Sequence, residues 1–271
     1  MVEEPEENIS GGSDGGGRNA TFEPGEASTR AERIVDRLGE LYWQKTYGGQ
    51  DAFECLVRTI LSQNTSDAVS QPAHDALIER YGENGDDGAD LAESLAHAEH
   101  AHLAETIRSA GLYNQKAEKI VGAAELVCEE YGGADGFDSF VRDEDPKTVR
   151  ERLLAIDGVG PKTADCVLLF AGGREGVFPV DTHVHRLYRR LGIASPTANH
   201  EAVREVLERD VPPEKCGFGH TASIQFGREY CSARKPACLE GEEACPLSEL
   251  CERIGVDPES GTVVDPADAP G

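Results

Sequence analysis

The chain has 271 residues, with 51 Asp and Glu against 26 Lys and Arg, giving a formal net charge of −25. That length can hold one sizeable core or two small domains. The charge excludes a protein that grips nucleic acid mainly through a basic surface, so either it binds none or its acidity has another cause. Residues 1–27 are rich in Gly, Glu and Ser with few apolar side chains, and are expected to be disordered. Helical patterns follow almost without interruption. Residues 30–47 are amphipathic, with Ile34, Leu38 and Leu41 at helical spacing. Residues 53–61, 68–81, 91–110, 116–131, 146–155, a helix from Pro161, one from Thr182, and residues 200–209 complete the predicted set. No stretch alternates long enough for a half-buried strand, and no internal repeat is present, so the fold class is all-α. Residues from 255 to 271 read as a flexible acidic tail.

Two loops between these helices are distinctive. Leu61-Ser62-Gln63-Asn64-Thr65-Ser66-Asp67 is polar and follows an apolar helix, as a simple capping loop would. Gly111-Leu112-Tyr113-Asn114 ends another, with Gly111 a natural C-cap and Leu112 the hydrophobic contact that often accompanies one.

Residues 153–190 are the most informative. Asp157-Gly158-Val159-Gly160 breaks a helical pattern, and Pro161 stands at a natural first helical position. Glycines allow a sharp turn and close backbone approach, and a helix start offers unsatisfied N–H groups that suit a phosphate. An ordinary helix–turn–helix connection fits the same pattern. Lys162 lies in the first helical turn, where the dipole disfavours a cation; with partial burial its pKa would fall, leaving a nucleophilic amine. The plainer role is a solvated or phosphate-contacting lysine. Asp181 precedes Thr182 as a good N-cap, which is a complete structural role in itself. His183 and His185 flank that helix start and are assigned no proton transfer.

Cys231, Cys238, Cys245 and Cys251 form the second constellation, separated by six, six and five residues. Four thiolates suit tetrahedral zinc or a cubane iron–sulfur cluster. Zinc sites usually show Cys-x-x-Cys knuckles, and these wide gaps favour a cluster. Disulfides are not expected, because no secretory signal or transmembrane run is seen. Cys55, Cys128, Cys166 and Cys216 sit among apolar residues as core thiols.

From Gly158-Val159-Gly160-Pro161-Lys162-Thr163-Ala164 through Val180-Asp181-Thr182-His183, the sequence resembles the helix-hairpin-helix, Gly-Pro, Asp motif of the endonuclease III superfamily of DNA base-excision repair glycosylases. The resemblance covers roughly residues 30–253. It implies two helical lobes flanking a DNA-binding cleft: a six-helix barrel with the hairpin at 45–174, and a lobe from 28–44 and 175–254 carrying a [4Fe–4S] cluster on the four cysteines. The family's middle gap is usually two residues; here Leu239 to Ala244 fill it with six. The resemblance makes Lys162 the nucleophile and Asp181 its assistant in a bifunctional glycosylase and abasic-site lyase, removing oxidised or saturated pyrimidines. Gly158, Val159 and Gly160 would hold the phosphate backbone. Gln63 or Asn64 would plug the duplex and Leu112 would wedge it. Arg186 and, on the loop between the first two cysteines, Arg234 and Lys235 would meet phosphates. The partner is double-stranded DNA with a damaged base or abasic site. The protein would be a cytoplasmic monomer, associated with the nucleoid when bound to DNA, with no membrane attachment.

Three other readings remain. An adenine glycosylase would lack the lysine, place a glutamate near Thr59 and carry an extra C-terminal domain. A mismatch thymine glycosylase would carry another residue at position 162. A non-catalytic DNA-binding or redox-sensing protein would use the cluster alone. Arginine outnumbers lysine and carboxylates are spread along the chain, as in proteins of a halophile's cytoplasm, where molar salt screens self-repulsion. Lys162, Arg174, Arg186, Arg189 and Arg190 gather near the hairpin as a possible local positive face.

Overall fold

The computed structural model describes residues 7–8, 21–43, 50–65, 67–82 and 90–269. The chain divides into two compact units, Met1–Thr46 with Glu175–Gly271, and Tyr47–Arg174. In chain order the helices are α1 (Arg30–Gly39), α2 (Ala52–Ser62), α3 (Asp67–Tyr81), α4 (Leu91–Ala96), α5 (His100–Thr106), α6 (Tyr113–Tyr131), α7 (Ala134–Asp143), α8 (Pro146–Leu154), α9 (Pro161–Phe170), α10 (Thr182–Arg190), α11 (His200–Asp210) and α12 (Pro213–Glu229). Among the described residues, strand is limited to two-residue pairings, so the molecule is all-α.

In the unit spanning Tyr47–Arg174, α2 is the central element. It packs against α3, α6, α7 and α9. Phe53, Leu56, Val57, Ile60 and Leu61 are all fully buried along it. A helix apolar on most sides belongs inside, which is why the others collect around it. Asp51 caps it by accepting from the Glu54 amide at 2.7 Å. Residues 91–110 do not form the single expected helix. They break into α4, α5 and a 3₁₀ turn at Arg108–Ala110. Asp90 caps α4, and α5 starts afresh after Glu99.

The other unit packs α1, α10 and α11 around α12. Ile34, Leu38, Tyr42, Phe178, Tyr188 and Phe226 are at the centre of its core. Helix α1 opens on Thr29, whose hydroxyl accepts from the Glu32 amide at 3.0 Å, while Glu32 accepts from the Ser28 amide at 2.8 Å. It ends at Gly39, earlier than the expected residue 47. A Cβ on Gly39 would stand 2.2 Å from the Phe22 ring, which packs tilted against Phe218 with centroids 4.4 Å apart. Most of the segment expected to be disordered lies outside the described residues, but Phe22 is built into this core.

Helix α12 was not foreseen, because Gly217, Gly219 and Gly227 depress its helix propensity. Packing explains two of them. A Cβ on Gly219 would meet Phe178 at 2.7 Å, and one on Gly227 would meet His183 at 2.9 Å. Residues 255–269, expected as a loose tail, instead carry an antiparallel pairing of Val256–Asp257 with Thr262–Val263, and Asp265 pairs with the Arg189 guanidinium.

Candidate functional site

The hairpin is built by α8 and α9. Asp145 caps α8, accepting from the Lys147 and Thr148 amides at 3.1 Å each, with Pro146 in the first turn. Arg150 clamps the two helices together, Nε to Asp165 Oδ1 at 2.6 Å, and Asp165 is almost fully buried. In the turn, Gly158 has φ of +81°, a conformation that L side chains avoid, and a Cβ there would meet the Lys119 side chain at 2.4 Å. Gly160 is different. Its φ is −91°, and its role is to end the turn as the N-cap of α9 with no side chain of its own in front of the helix start. The Val159 amide is used within the turn, donating to Ile156 O at 3.1 Å.

Lys162 follows in the first turn of α9 and is half-buried. It lies close to the buried thiol of Cys55. Burial pushes that thiol up to about 12, the neighbouring Cys166 adds to the shift, and the Lys162 charge opposes it. Cys55, Cys166 and Cys216 are all buried, in keeping with core thiols, whereas Cys128, expected with them, is only half-buried near the end of α6.

The plug and wedge candidates occupy the same unit. Gln63 is committed to the hairpin: its amide donates to Gly158 O at 2.9 Å and to Thr163 Oγ1 at 3.2 Å. Asn64 is exposed and has φ of 55°. Of the two, Asn64 is the one presented to solvent. Leu112 has φ of 49° and is 53% exposed, against the pattern of apolar burial around it. Lys116, which sequence reasoning did not single out, is buried and donates to two main-chain carbonyls, Leu61 O and Ala110 O. Burial lowers its pKa, and Lys119 adds to the effect. One signal could have found it: Lys116 falls in step with Ile120, Ala124 and Val127 on the core face of α6.

In the other unit, Asp181 caps α10. Its Oδ1 accepts from the His183 and Val184 amides at 2.8 Å each, which leaves Oδ2 outside the cap. The arginines expected to face phosphates are largely used within the fold. Arg186 donates to Cys231 O and Gly227 O at 3.0 Å each and contacts His183 Nδ1 at 3.1 Å. Arg189 holds Pro196 O at 2.6 Å as well as Asp265. Arg190 donates to Ser232 O at 2.7 Å and Ala233 O at 2.8 Å. In the hairpin unit, Arg174 is bonded to Val141 O and Glu144 O. The expected positive face therefore loses these four guanidiniums, because tertiary folding brings main-chain carbonyls to them. Arg234 and Lys235 remain exposed, on a loop braced from below by Arg190 and closed by Ser232 Oγ donating to Lys235 O at 2.6 Å.

All four C-terminal cysteines line one pocket, together with Arg190, Arg253 and apolar side chains including Leu187, Leu191, Phe226, Leu247 and Val256. The thiols ring this pocket: among the described residues, no three His, Cys, Asp or Glu side chains converge as the ligands of a single ion would. Burial pushes Cys251 up to about 12, the other three thiols add to the shift, and the Arg253 amide counters it with a 3.3 Å bond to Sγ. Burial likewise raises Cys238 and Cys245. Four thiolates in such a wall need positive charge among them, and a polynuclear iron–sulfur centre meets that need. Cys231, Cys238, Cys245 and Cys251 are the thiols gathered there for such a group, with Arg190 Nη1 at 3.5 Å from Cys231 Sγ. The long middle gap does not scatter these thiols. It carries the 3₁₀ turn Glu242–Ala244, and Glu242 pairs with Arg253 at 2.6 Å.

A glycine-turned hairpin leading to a helix-start lysine, a capping aspartate and a pocket lined by four cysteines define a helix-hairpin-helix DNA glycosylase. Residues 57–213 match the HhH-GPD superfamily of base excision DNA repair proteins, and the chain belongs to that superfamily. Endonuclease III of Thermotoga maritima is 34% identical, over 82% of this chain and 90% of the relative. Endonuclease III of Bacillus subtilis is 32% identical, over 81% and 90%. A trapped endonuclease III–DNA covalent intermediate superimposes with a TM-score of 0.62 at 28% identity, covering 76% of this chain and 86% of that one. A thermostable thymine-DNA glycosylase shares the fold with a TM-score of 0.65 at 24% identity. Among the described residues no helix is long and apolar enough to cross a membrane.

Proposed function

We propose that this enzyme is a bifunctional DNA glycosylase and abasic-site lyase acting on oxidised or saturated pyrimidines in double-stranded DNA, with Lys162 as nucleophile. The observation that carries the reading is Lys162 in the uncapped first turn of α9, directly after a hairpin whose Gly158 requires positive φ. Similarity to a covalently trapped endonuclease III–DNA complex supports it. Gly158, Val159 and Gly160 present main chain to the phosphate backbone, with the α9 dipole behind them. Leu112 wedges the base stack and Asn64 fills the gap left by the extruded nucleotide, while Gln63 holds the loop to the hairpin. Arg234 and Lys235 contact phosphate. Arg186 acts from within the fold, tying α10 to the end of α12 and to Cys231.

In the reaction, Lys162 Nζ attacks C1′ and the glycosidic bond breaks, the base leaving with a proton. The C1′–O4′ bond then breaks, O4′ taking a proton, and the opened sugar is a Schiff base to Lys162; this makes the C2′ proton acidic, and its removal breaks the C3′–O bond by β-elimination with the 3′ phosphate as leaving group. Asp181 Oδ2 would stabilise positive charge developing on the sugar. A [4Fe–4S] cluster on the four cysteines would fix the Cys231–Cys251 loop and so set where Arg234 and Lys235 stand.

The test is borohydride trapping on a duplex with one abasic site, using anaerobically purified protein whose iron is assayed in the same preparation. The expected result is a covalent complex that Lys162→Ala abolishes while DNA binding persists, from a brown protein with about four irons per chain. Equal trapping by the variant would overturn Lys162 as nucleophile. Colourless protein with one zinc per chain would overturn the cluster.

A further inference from the structure

We infer that Lys116 is a positioning residue whose ammonium locks the plug loop and the wedge loop into one fixed relation; the inference rests on the roles proposed above for Asn64 and Leu112. Lys116 is only 3% exposed. Its Nζ donates to Leu61 O at 2.6 Å and to Ala110 O at 2.9 Å. These two carbonyls end two different elements. Leu61 is the penultimate residue of α2, and Ala110 closes the 3₁₀ turn Arg108–Ala110. Carbonyls at helix ends lack intrahelical donors, and a charged donor makes stronger bonds to them than a neutral one.

What these bonds hold is unusual backbone. Asn64 stands three residues beyond Leu61, and Leu112 two beyond Ala110. Among the described residues, Asn64, Leu112 and Arg253 are the only non-glycine residues with positive φ. Conformations of this kind persist only where the surroundings over-determine them, and they cluster at working sites. Burying an ammonium is expensive, and an apolar side chain of the same length would fill the space on the core face of α6 at less cost. The charge therefore serves the two carbonyls. Through them it couples the residue that fills the stack to the residue that opens it. The Gln63 amide, bonded to Gly158 O and Thr163 Oγ1, extends the same connection to the hairpin.

The test compares two substrates in the iron-loaded full-length protein. One is a duplex with a single dihydrothymine, which must be opened. The other is a single-stranded oligonucleotide with one abasic site, which needs no opening. Lys116→Met should slow excision from the duplex by about tenfold or more, while borohydride trapping on the single strand stays within about twofold. A 2-aminopurine beside the lesion should lose most of the fluorescence gain that wild-type binding produces. Lys116→Arg, which restores a charged donor, should recover most of the duplex rate. If Lys116→Met does not fold, Lys116→Gln, neutral and one atom shorter, should show the same split between substrates. An equal loss on both substrates, or no loss on the duplex, overturns the inference. Failure of the underlying reading looks different. Wild-type protein that traps no abasic DNA, or Leu112→Ala and Asn64→Ala variants that excise at the full rate, removes the loop roles themselves and the coupling with them.

Discussion

At the scale of single residues, Asp181 is the clearest case of a capping role that can be separated from the catalytic one proposed for it. Capping uses only Oδ1, which takes both amides. Asparagine keeps that oxygen and caps about as well, but puts a neutral NH₂ where Oδ2 stands. Asp181→Asn should therefore leave thermal unfolding nearly unchanged and cost about 100-fold or more in base excision, the usual scale for removing a charge aimed at a transition state. Single-turnover excision beside a melting curve makes the comparison. Near-normal excision would reduce Asp181 to a cap. The same residue-level separation explains Gln63 and Asn64. They are neighbours in a polar loop and indistinguishable in sequence, yet one is bonded into the hairpin and the other is turned outward by a positive φ.

At the scale of elements, local chemistry was legible and distant chemistry was not. Thr29, Asp145 and Asp181 announce α1, α8 and α10, because a capping bond spans only two or three residues and can be read from the chain. Helix α12 was hidden, because its glycines make sense only against Phe178 and His183, which lie elsewhere in the sequence. Lys162, Asp181 and the four cysteines carry motif spacing. The bonds of Lys116 and of Arg174, Arg186 and Arg190 go to carbonyls that only the fold supplies. The joint between α1 and α12 belongs to this second kind. Lys215 reaches Glu32 at 2.7 Å and Asp36 at 2.6 Å, and all three are buried. Burial alone would raise Glu32, but its bonds to Lys215 and Ser28 bring it down to about 2 from an ordinary 4.5. A lowered carboxylate stabilises the fold above its unfolded pKa, and that contribution is lost as pH falls through the folded value. Asp36 is raised, chiefly by burial, so it opposes this trend and gains by protonation. Lys215→Met should cost about 3–5 kcal/mol at neutral pH by stranding two buried carboxylates. The variant's deficit should then shrink as pH is lowered toward 5 and the carboxyls take up protons. Denaturant melts of both proteins at several pH values, at constant ionic strength, measure this; a deficit independent of pH would show that packing, not charge, holds the joint.

At the scale of the whole molecule, the fold sharpens the charge problem. The net charge is −25, and several of the 26 basic residues are turned inward. Arg189 and Arg190 are buried, Lys116 and Lys215 are buried, and Arg150 is committed to buried Asp165. Buried Glu32, Asp36 and Asp165 nearly offset these cations in net charge, but the inward-turned cations are lost to phosphate, and self-repulsion among the surface carboxylates works against the compact state. Salt relieves it: the screening length falls from about 10 Å at 0.1 M to about 3 Å at 1 M. Stability and excision should accordingly persist or rise in molar KCl. DNA affinity should respond weakly for the same reason. Each phosphate neutralised contributes about −0.9 to the slope of log affinity against log salt, and with Arg234 and Lys235 as the principal contacts the slope should be no steeper than about −2. The main-chain contacts and the insertion of Leu112 and Asn64 proposed above would be less sensitive to screening and would carry the remaining affinity. Binding isotherms on an abasic-site duplex across a KCl series, with melting curves at the same concentrations, decide the matter. A slope approaching −10 would mean a broad basic footprint that the inward-turned arginines argue against. Full stability and activity at low salt, lost at high salt, would leave the acidic surface without a function in folding.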